Sequence, residues 1–423
     1  MSNRYSEEMS RPSPAPPEPQ EASAGPTRVR SDRSDWRIPV ALGIIAQLLF
    51  SFRLSIPSKF VFDEIHYVPA ARTLLAFSGP VNIEHPLVGK LLIALGITLF
   101  GDTPLGWRAM STLAGTATVV AVFAIVKALT GRTRAALLGG VFALTGGTIF
   151  VQARIAMLDG FMAALLACGL ACLLWALKSE RPWPRWLIGS MLLGLAVGTK
   201  WTALPYVGFA GLGVLILRRR AGVPFAVTLG IVSAISYFAT FLPAFFYASE
   251  PLTLATLLPF QLDMYARQTQ VLPPHVYQSN WWSWPLMIRP IWYFWEPSDG
   301  AQRGILLIAN PALAWGSLIA VTSCLWFAVR DRSLRLVAPA ALWLVSILMW
   351  AAVPKSLGFF YYYYPSTVWL AVVAAVAIDR IDRPRLDEWM ATLSIGVFAF
   401  FWPILSAAPA DGFSRWTWFR SWV

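Results

Sequence analysis

The sequence predicts an all-α protein that crosses a membrane many times, and three observations carry that expectation. Apolar residues make up 57% of the 423-residue chain and charged ones only 13%, about half the charged share of a soluble domain. Apolar runs of membrane-spanning length recur between residues 38 and 407. The cations sit in short clusters between those runs, as in loops kept on the cytoplasmic side. That clustering assigns the net charge of +12 to membrane topology rather than to a nucleic-acid partner. Cys168, Cys172 and Cys324 lie inside apolar runs and supply neither a disulfide framework nor metal-ligand spacing.

Residues 1–35 are rich in Pro, Ser, Glu and Arg without apolar periodicity, and read as a disordered cytoplasmic tail. Arg28, Arg30, Arg33 and Arg37 precede the first span, 38–54, which places the N-terminus inside. The next stretch, 55–104, therefore emerges outside. Its segment 86–100 is short and carries Lys90 near its start, so it reads as an in-plane or re-entrant helix. Were it a span, Lys127, Arg132 and Arg134 would fall outside, against the charge rule.

The remaining spans follow at 105–128, 135–151, 158–177, 186–203, 204–217, 223–247, 304–329, 336–353, 359–378 and 389–407. Together these predict about eleven crossings, N-terminus in and C-terminus out. The membrane-embedded domain covers 36–408, with a long external connection at 248–303 and an external tail at 409–423. No internal repeat of the transporter kind is visible.

With that topology the unusual polar residues gather at the outer helix ends. Five short motifs share the face: FDEIHY at 62–67, EHPLVGK at 84–90, LGWR at 105–108, QARIAMLD at 152–159 and GTKW at 198–201. Each has a bland alternative. Arg108 suits a snorkelling helix-end arginine, Arg154 and Asp159 a local ion pair, and Lys200 the headgroup layer. Their convergence on one side favours a site. An adjacent acidic pair, Asp63-Glu64, between apolar segments is costly unless a partner satisfies it.

In this order and spacing, the motifs resemble the protein O-mannosyltransferase family, also called dolichyl-phosphate-mannose–protein mannosyltransferases, whose fold is GT-C. The stretches YQSNWWSWPLMIRPIWYFW (277–295), ANPALAW (309–315) and YYYYPS (361–366) look like its bacterial members. The resemblance covers most of 60–370. It departs where the family's HPPLGK has Leu87 for the second proline, and where connection 248–303 is too short for the soluble domain of eukaryotic members.

The resemblance implies a polyprenyl-phosphate sugar donor and an exported polypeptide acceptor at the outer face of the plasma membrane. It maps the family's catalytic aspartate onto Asp63 as general base. Glu64, pointing the other way in an extended loop, is expected to orient the acceptor or pair with a cation. The leaving phosphate needs cations; His85, Arg108, Arg154 and Lys200 are the candidates, with Asp159 orienting Arg154 and Trp201 beside Lys200. Tyr277, Trp281, Trp282, Trp284 and Arg289 are expected to contact sugar or acceptor, although tryptophans here also suit a membrane belt. No cofactor is firmly implied; an acidic pair such as Asp63-Glu64 is able to hold a divalent cation. One base and one departing phosphate imply inverting single displacement. Two other functions compete: the same donor chemistry on a lipid A or envelope-glycan acceptor, and a transporter, which would place its charges at mid-membrane depth.

Overall fold

The computed structural model describes residues 36–353 and 355–423; the tail expected at 1–35 lies outside the described residues. The chain begins with α1 (Arg37–Ser51), α2 (Glu64–Leu75) and α3 (Val88–Phe100). Next come α4 (Pro104–Thr130), α5 (Thr133–Leu144), α6 (Gly147–Gln152), α7 (Leu158–Ala176) and α8 (Trp183–Val197). They are followed by α9 (Leu204–Arg218), α10 (Val223–Ala239) and α11 (Leu257–Thr269), then strands β1 (Ile291–Ser298) and β2 (Ala301–Leu307). The remaining helices are α12 (Pro311–Asp331), α13 (Leu334–Leu348), α14 (Tyr364–Ile381) and α15 (Leu386–Leu405).

Local chemistry sets the long helices. Thr103 caps α4 by accepting from the Gly106 amide, Pro104 occupies the first turn, and Gly131 ends the helix at φ 75°. Asn310 caps α12 in the same way, accepting from the Ala312 amide at 3.1 Å ahead of Pro311. Helix α7 packs on α4 and α8, and α14 on α12, α13 and α5. The α7–α8 crossing depends on small residues. A Cβ on Gly169 would lie 2.9 Å from Leu193 and 3.1 Å from the Gly189 carbonyl, so the backbones approach as membrane helices do at glycine.

Among the described residues, seven stretches are long and apolar enough to cross a membrane, by length and composition. Eight of the expected spans overlap them, since 204–217 and 223–247 share the stretch Trp201–Phe246, which is broken by a 3₁₀ turn at Arg219–Gly222. The spans expected at 38–54, 135–151 and 186–203 contain helices of 15, 12 and 15 residues. Helix α3 has 13 residues, roughly 20 Å, short of a hydrocarbon core of about 30 Å.

The expectation of an all-helical chain misses one element. Connection 248–303 contains α11 and the first strand of an antiparallel hairpin whose turn, Asp299-Gly300, has both φ angles positive, 50° and 75°. This is hairpin turn chemistry. It was obscured because WYFWEPS lay in what reads as an external connection and GILL in what reads as the start of the span 304–329. Strand β2 also takes the start of the span expected at 304–329, which begins instead at Pro311. The expected external tail packs against the protein: the Trp422 indole donates to the Met287 carbonyl at 2.7 Å, and the Trp292 indole donates to the Trp422 carbonyl at 2.9 Å.

Candidate active site

The two adjacent acids have opposite surroundings. Phe62 adopts φ 49°, and the chain enters α2 with Asp63 at its N-cap, its side chain making no cap hydrogen bond. Glu64 turns inward and is fully buried. Its Oε1 accepts from Arg108 Nε and the Ala156 amide, both at 2.8 Å. Its Oε2 accepts from Arg108 Nη2 at 2.7 Å and the Val61 amide at 2.8 Å. Arg108 spends its other N–H groups on the carbonyls of Leu54, Pro57 and Lys59, at 3.2, 2.7 and 2.9 Å. An arginine has five N–H donors, and all five are engaged. Of the two roles expected for Glu64 the geometry leaves pairing with a cation, Arg108, and no lone pair for an acceptor; it corrects the expectation for Arg108, which has no donor left for a phosphate.

Arg154 is corrected as well. Its Nη1 donates to the carbonyls of Phe50 and Phe52, at 2.8 and 2.7 Å, at the C-terminal end of α1. Its guanidinium lies 5.1 Å from the Phe150 ring centre. A cation on terminal helix carbonyls completes the helix end. Asp159 does not orient it. Both Asp159 oxygens instead accept from Lys200 Nζ at 2.9 Å, and this pair is buried. The Lys200 ammonium also faces Tyr361 and Tyr362, 5.1 and 5.4 Å from their ring centres.

Asp63 forms no ion pair among the described residues. Burial raises its carboxyl to about 6, against the opposing pull of Lys200 and His66. Asp159 and a hydrogen bond from Tyr67 also act on it. Aromatic rings fix its approach. Phe62 stacks on Tyr293 at 4.2 Å and meets Tyr361 edge-on at 6.0 Å. The Tyr293 hydroxyl accepts from Gln152 Nε2 at 3.1 Å. His85 lies 6.2 Å from Tyr67, ring to ring, and its buried Nδ1 has no hydrogen-bond partner among the described residues. Lys355 donates to the Gln268 carbonyl at 2.8 Å, and burial, helped by the Lys200 charge, lowers its ammonium to about 8.

Other expected contacts are committed elsewhere. Trp201 donates to the Tyr237 hydroxyl at 2.8 Å. Trp284 is buried and donates to Ser279 Oγ at 2.9 Å. Arg289 covers Tyr277 and binds the carbonyls of Val276, Ser421 and Val423. Trp281 is half-buried, and Trp282, 59% exposed, remains open to a partner or a bilayer. Asp63-Glu64 does not fit a divalent cation, because Glu64 is saturated and no cluster of three acidic, His or Cys side chains adjoins it among the described residues. The site has members to which the sequence assigns no role: Tyr67, Gln152, Tyr293, Tyr361, Tyr362 and Lys355, the last counted only among the polar residues of the outer helix ends. All but Lys355 stand in stretches already singled out by motif or resemblance.

The helical arrangement, with its acid and paired lysine at the helix ends, is that of a GT-C membrane glycosyltransferase. It matches the S. cerevisiae protein O-mannosyltransferase Pmt1-Pmt2 complex bound to the sugar donor with a TM-score of 0.78, at 12% identity, over 92% of this chain and 93% of that one. It also matches ArnT from Cupriavidus metallidurans bound to undecaprenyl phosphate with a TM-score of 0.60, at 17% identity, over 87% of this chain and 64% of that one. In sequence, a polyprenol-phosphate-mannose–protein mannosyltransferase of Mycolicibacterium smegmatis is 26% identical across 92% of this chain and 93% of its own length. Residues 84–245 match the dolichyl-phosphate-mannose-protein mannosyltransferase profile, and residues 253–422 match that of the C-terminal four TMM region of protein-O-mannosyltransferase. The chain belongs to this protein O-mannosyltransferase family.

Proposed function

We propose that the protein transfers mannose from a polyprenyl-phosphate donor to Ser or Thr hydroxyls of exported polypeptides, at the outer face of the plasma membrane. One observation carries this reading at the site: Asp63 is a carboxylate without an ion pair, set opposite the Lys200–Asp159 pair and ringed by tyrosines. The acceptor oxygen attacks the anomeric carbon as its proton passes to Asp63. The bond from that carbon to the phosphate oxygen breaks, and the lipid phosphate leaves with the electron pair. A single displacement inverts the anomeric centre. Lys200 keeps one N–H beyond the two given to Asp159, and Lys355 keeps two beyond Gln268. These lysines replace Arg108 and Arg154 as the cations that meet the departing phosphate. Tyr293, Tyr361 and Phe62 offer flat faces to the sugar.

The assignment of sides rests on charge. Arg132 pairs with Asp379, Arg134 with Asp387 and Glu388, and Arg380 with Asp331, which gathers the basic helix ends together. By the positive-inside rule that end is cytoplasmic and the Asp63 end external.

A lipid acceptor is the second reading. A 28% identical undecaprenyl phosphate-aminoarabinose arabinosyl transferase of Pseudomonas aeruginosa, matching over 40% of this chain, points to donor chemistry shared beyond mannosyl transfer, with the acceptor left to experiment. The deciding experiment incubates the purified protein with polyprenyl-phosphate mannose and either Thr-containing peptides or lipid A, with products weighed by mass spectrometry. A hexose gained by peptide supports the first reading. A hexose gained only by lipid A replaces it with the second.

A further inference from the structure

Two parts of the site are fastened to the same residue of α11. Gln268 Nε2 donates to the Glu84 carbonyl at 2.7 Å, and the Gln268 carbonyl accepts from Lys355 Nζ at 2.8 Å. The first bond holds the stretch that carries His85. The second holds a cation assigned to the departing phosphate.

The sequence of α11 explains how one residue reaches both. Phe260, Met264 and Gln268 follow at four-residue spacing, so they share a face of the helix. Met264 is fully buried in an apolar cluster with Leu87, Phe241 and Leu252, and Phe260 packs against that cluster. This anchor fixes which face of α11 turns inward, and Gln268 extends that face to the Glu84 carbonyl. Gln268 also lies in the last turn, where helix carbonyls have no intrahelical partner. A cation suits that end, because the helix dipole is negative there, and Lys355 supplies it. Ser356 fastens the same join: its Oγ donates to the Gln270 carbonyl and accepts from the Leu272 amide, both at 3.2 Å.

On the other side, Lys90 holds the turn before α3. It is fully buried and donates to the carbonyls of Val81, Asn82 and His85, at 3.3, 2.8 and 2.8 Å. Those bonds spend its three N–H groups, which leaves the Glu84 carbonyl to Gln268. His85 is thereby held in place beside Tyr67, 6.2 Å away ring to ring, and Tyr67 hydrogen-bonds Asp63.

We propose that Gln268 is a positioning residue for the transfer: it sets the spacing between Lys355, which meets the departing phosphate, and the His85–Tyr67 side of the site, which borders the base. The proposal rests on the donor half of the reading above and not on the identity of the acceptor. Met264 and Phe260 already hold α11 to the protein, so the two bonds of Gln268 serve alignment rather than attachment.

The test uses the full-length protein in lipid nanodiscs, polyprenyl-phosphate mannose and whichever acceptor, Thr peptide or lipid A, takes up hexose. Gln268→Met keeps length and removes the N–H donor, while the backbone carbonyl and Ser356 keep the end of α11 with Lys355. Donor KM should rise by about three- to tenfold, the scale of one hydrogen bond. Acceptor KM and the thermal unfolding midpoint should stay near those of the unaltered protein. In a Lys355→Ala background the same change should raise donor KM by less than about twofold, because residues that act through one another are not additive. An equal rise in both backgrounds would overturn the proposal and leave Lys355 standing as a phosphate cation. A lowered unfolding midpoint with unchanged donor KM would make Gln268 a packing residue only. Donor KM unaltered by Lys355→Ala itself would remove the cation assignment, and the proposal with it. No transfer to either acceptor would sink the donor reading on which both depend.

Discussion

Glu64 and Arg108 neutralise each other completely: two N–H···O contacts at 2.8 and 2.7 Å join them, and the protein's own backbone satisfies what is left of both. Asp63, one residue earlier, has no such partner. Substituting these neighbours should therefore produce different failures. Asp63→Asn keeps size and removes the proton acceptor, so transfer should fall by about 100-fold or more. Its thermal unfolding midpoint should hardly move. Glu64→Gln leaves Arg108 buried without its counter-charge, which costs about 3–5 kcal/mol and should appear as early unfolding in detergent. Rate and melting measured on both variants check the division. A stable, inactive Glu64→Gln with an active Asp63→Asn would swap the roles.

The pH dependence follows from two groups outside the spans. Asp63 must be ionised to accept a proton, and burial sets its carboxyl at about 6. Activity should rise with pH through that value. Lys355 must be charged to meet a phosphate, and its ammonium sits at about 8. Above that value it loses its proton and its charge, so activity should fall. A bell between about 6 and 8 is expected. In Lys355→Arg the alkaline limb should move upward, because arginine stays charged. An alkaline limb unchanged in that variant would assign it to another group.

The reassigned cations separate by kinetics. Lys355→Ala should raise donor KM and lower the rate, with the loss approaching about 2.7–4 kcal/mol if the contact is made mainly in the transition state. Arg154→Ala should act on stability instead, since its bonds go to the α1 carbonyls. Donor KM measured beside thermal unfolding distinguishes them. Wild-type donor kinetics in Lys355→Ala would leave Lys200 as the sole phosphate cation among Arg108, Arg154, Lys200 and Lys355.

Much of this was legible in the sequence because membrane physics simplifies it. Apolar length and cation clusters mark the long helices, and the order of motifs marks the family. What stayed hidden was pairing. WR and DE are separated by 44 positions, and no spacing rule says that Arg108 will spend every donor on Glu64 and nearby carbonyls. Arg154 and Asp159 stand five positions apart and look like partners, yet α7 begins between them and aims Asp159 at Lys200. Lys355 sat in no motif, and only its fold position beside Lys200 and Glu84 gives it a role. The hairpin was hidden because its first strand lay in what reads as an external connection and its second, apolar like a membrane segment, at the start of a span; the Asp299-Gly300 turn was the one local signal against a purely helical reading.

Tyr293 tests whether that hairpin serves the chemistry. Its ring stacks on Phe62 at 4.2 Å, and Phe62 holds the positive φ that sets the backbone of Asp63. Its hydroxyl accepts from Gln152, so its own proton is free to donate towards a sugar hydroxyl. Ring and hydroxyl have separable consequences. Tyr293→Phe keeps the stack and should spare the position of Asp63; donor KM should rise several-fold, in line with a lost hydrogen bond of about 0.5–1.5 kcal/mol, with the acid limb of the pH profile in place. Tyr293→Ala removes the stack and frees Phe62, so kcat should fall further and the acid limb should shift as the burial of Asp63 changes. Gln152→Leu should resemble Tyr293→Phe in direction, because the hydroxyl loses the donor that orients it. If Tyr293→Ala matches Tyr293→Phe in rate and in acid limb, the stack does not position Asp63, and the hairpin contributes only its hydroxyl.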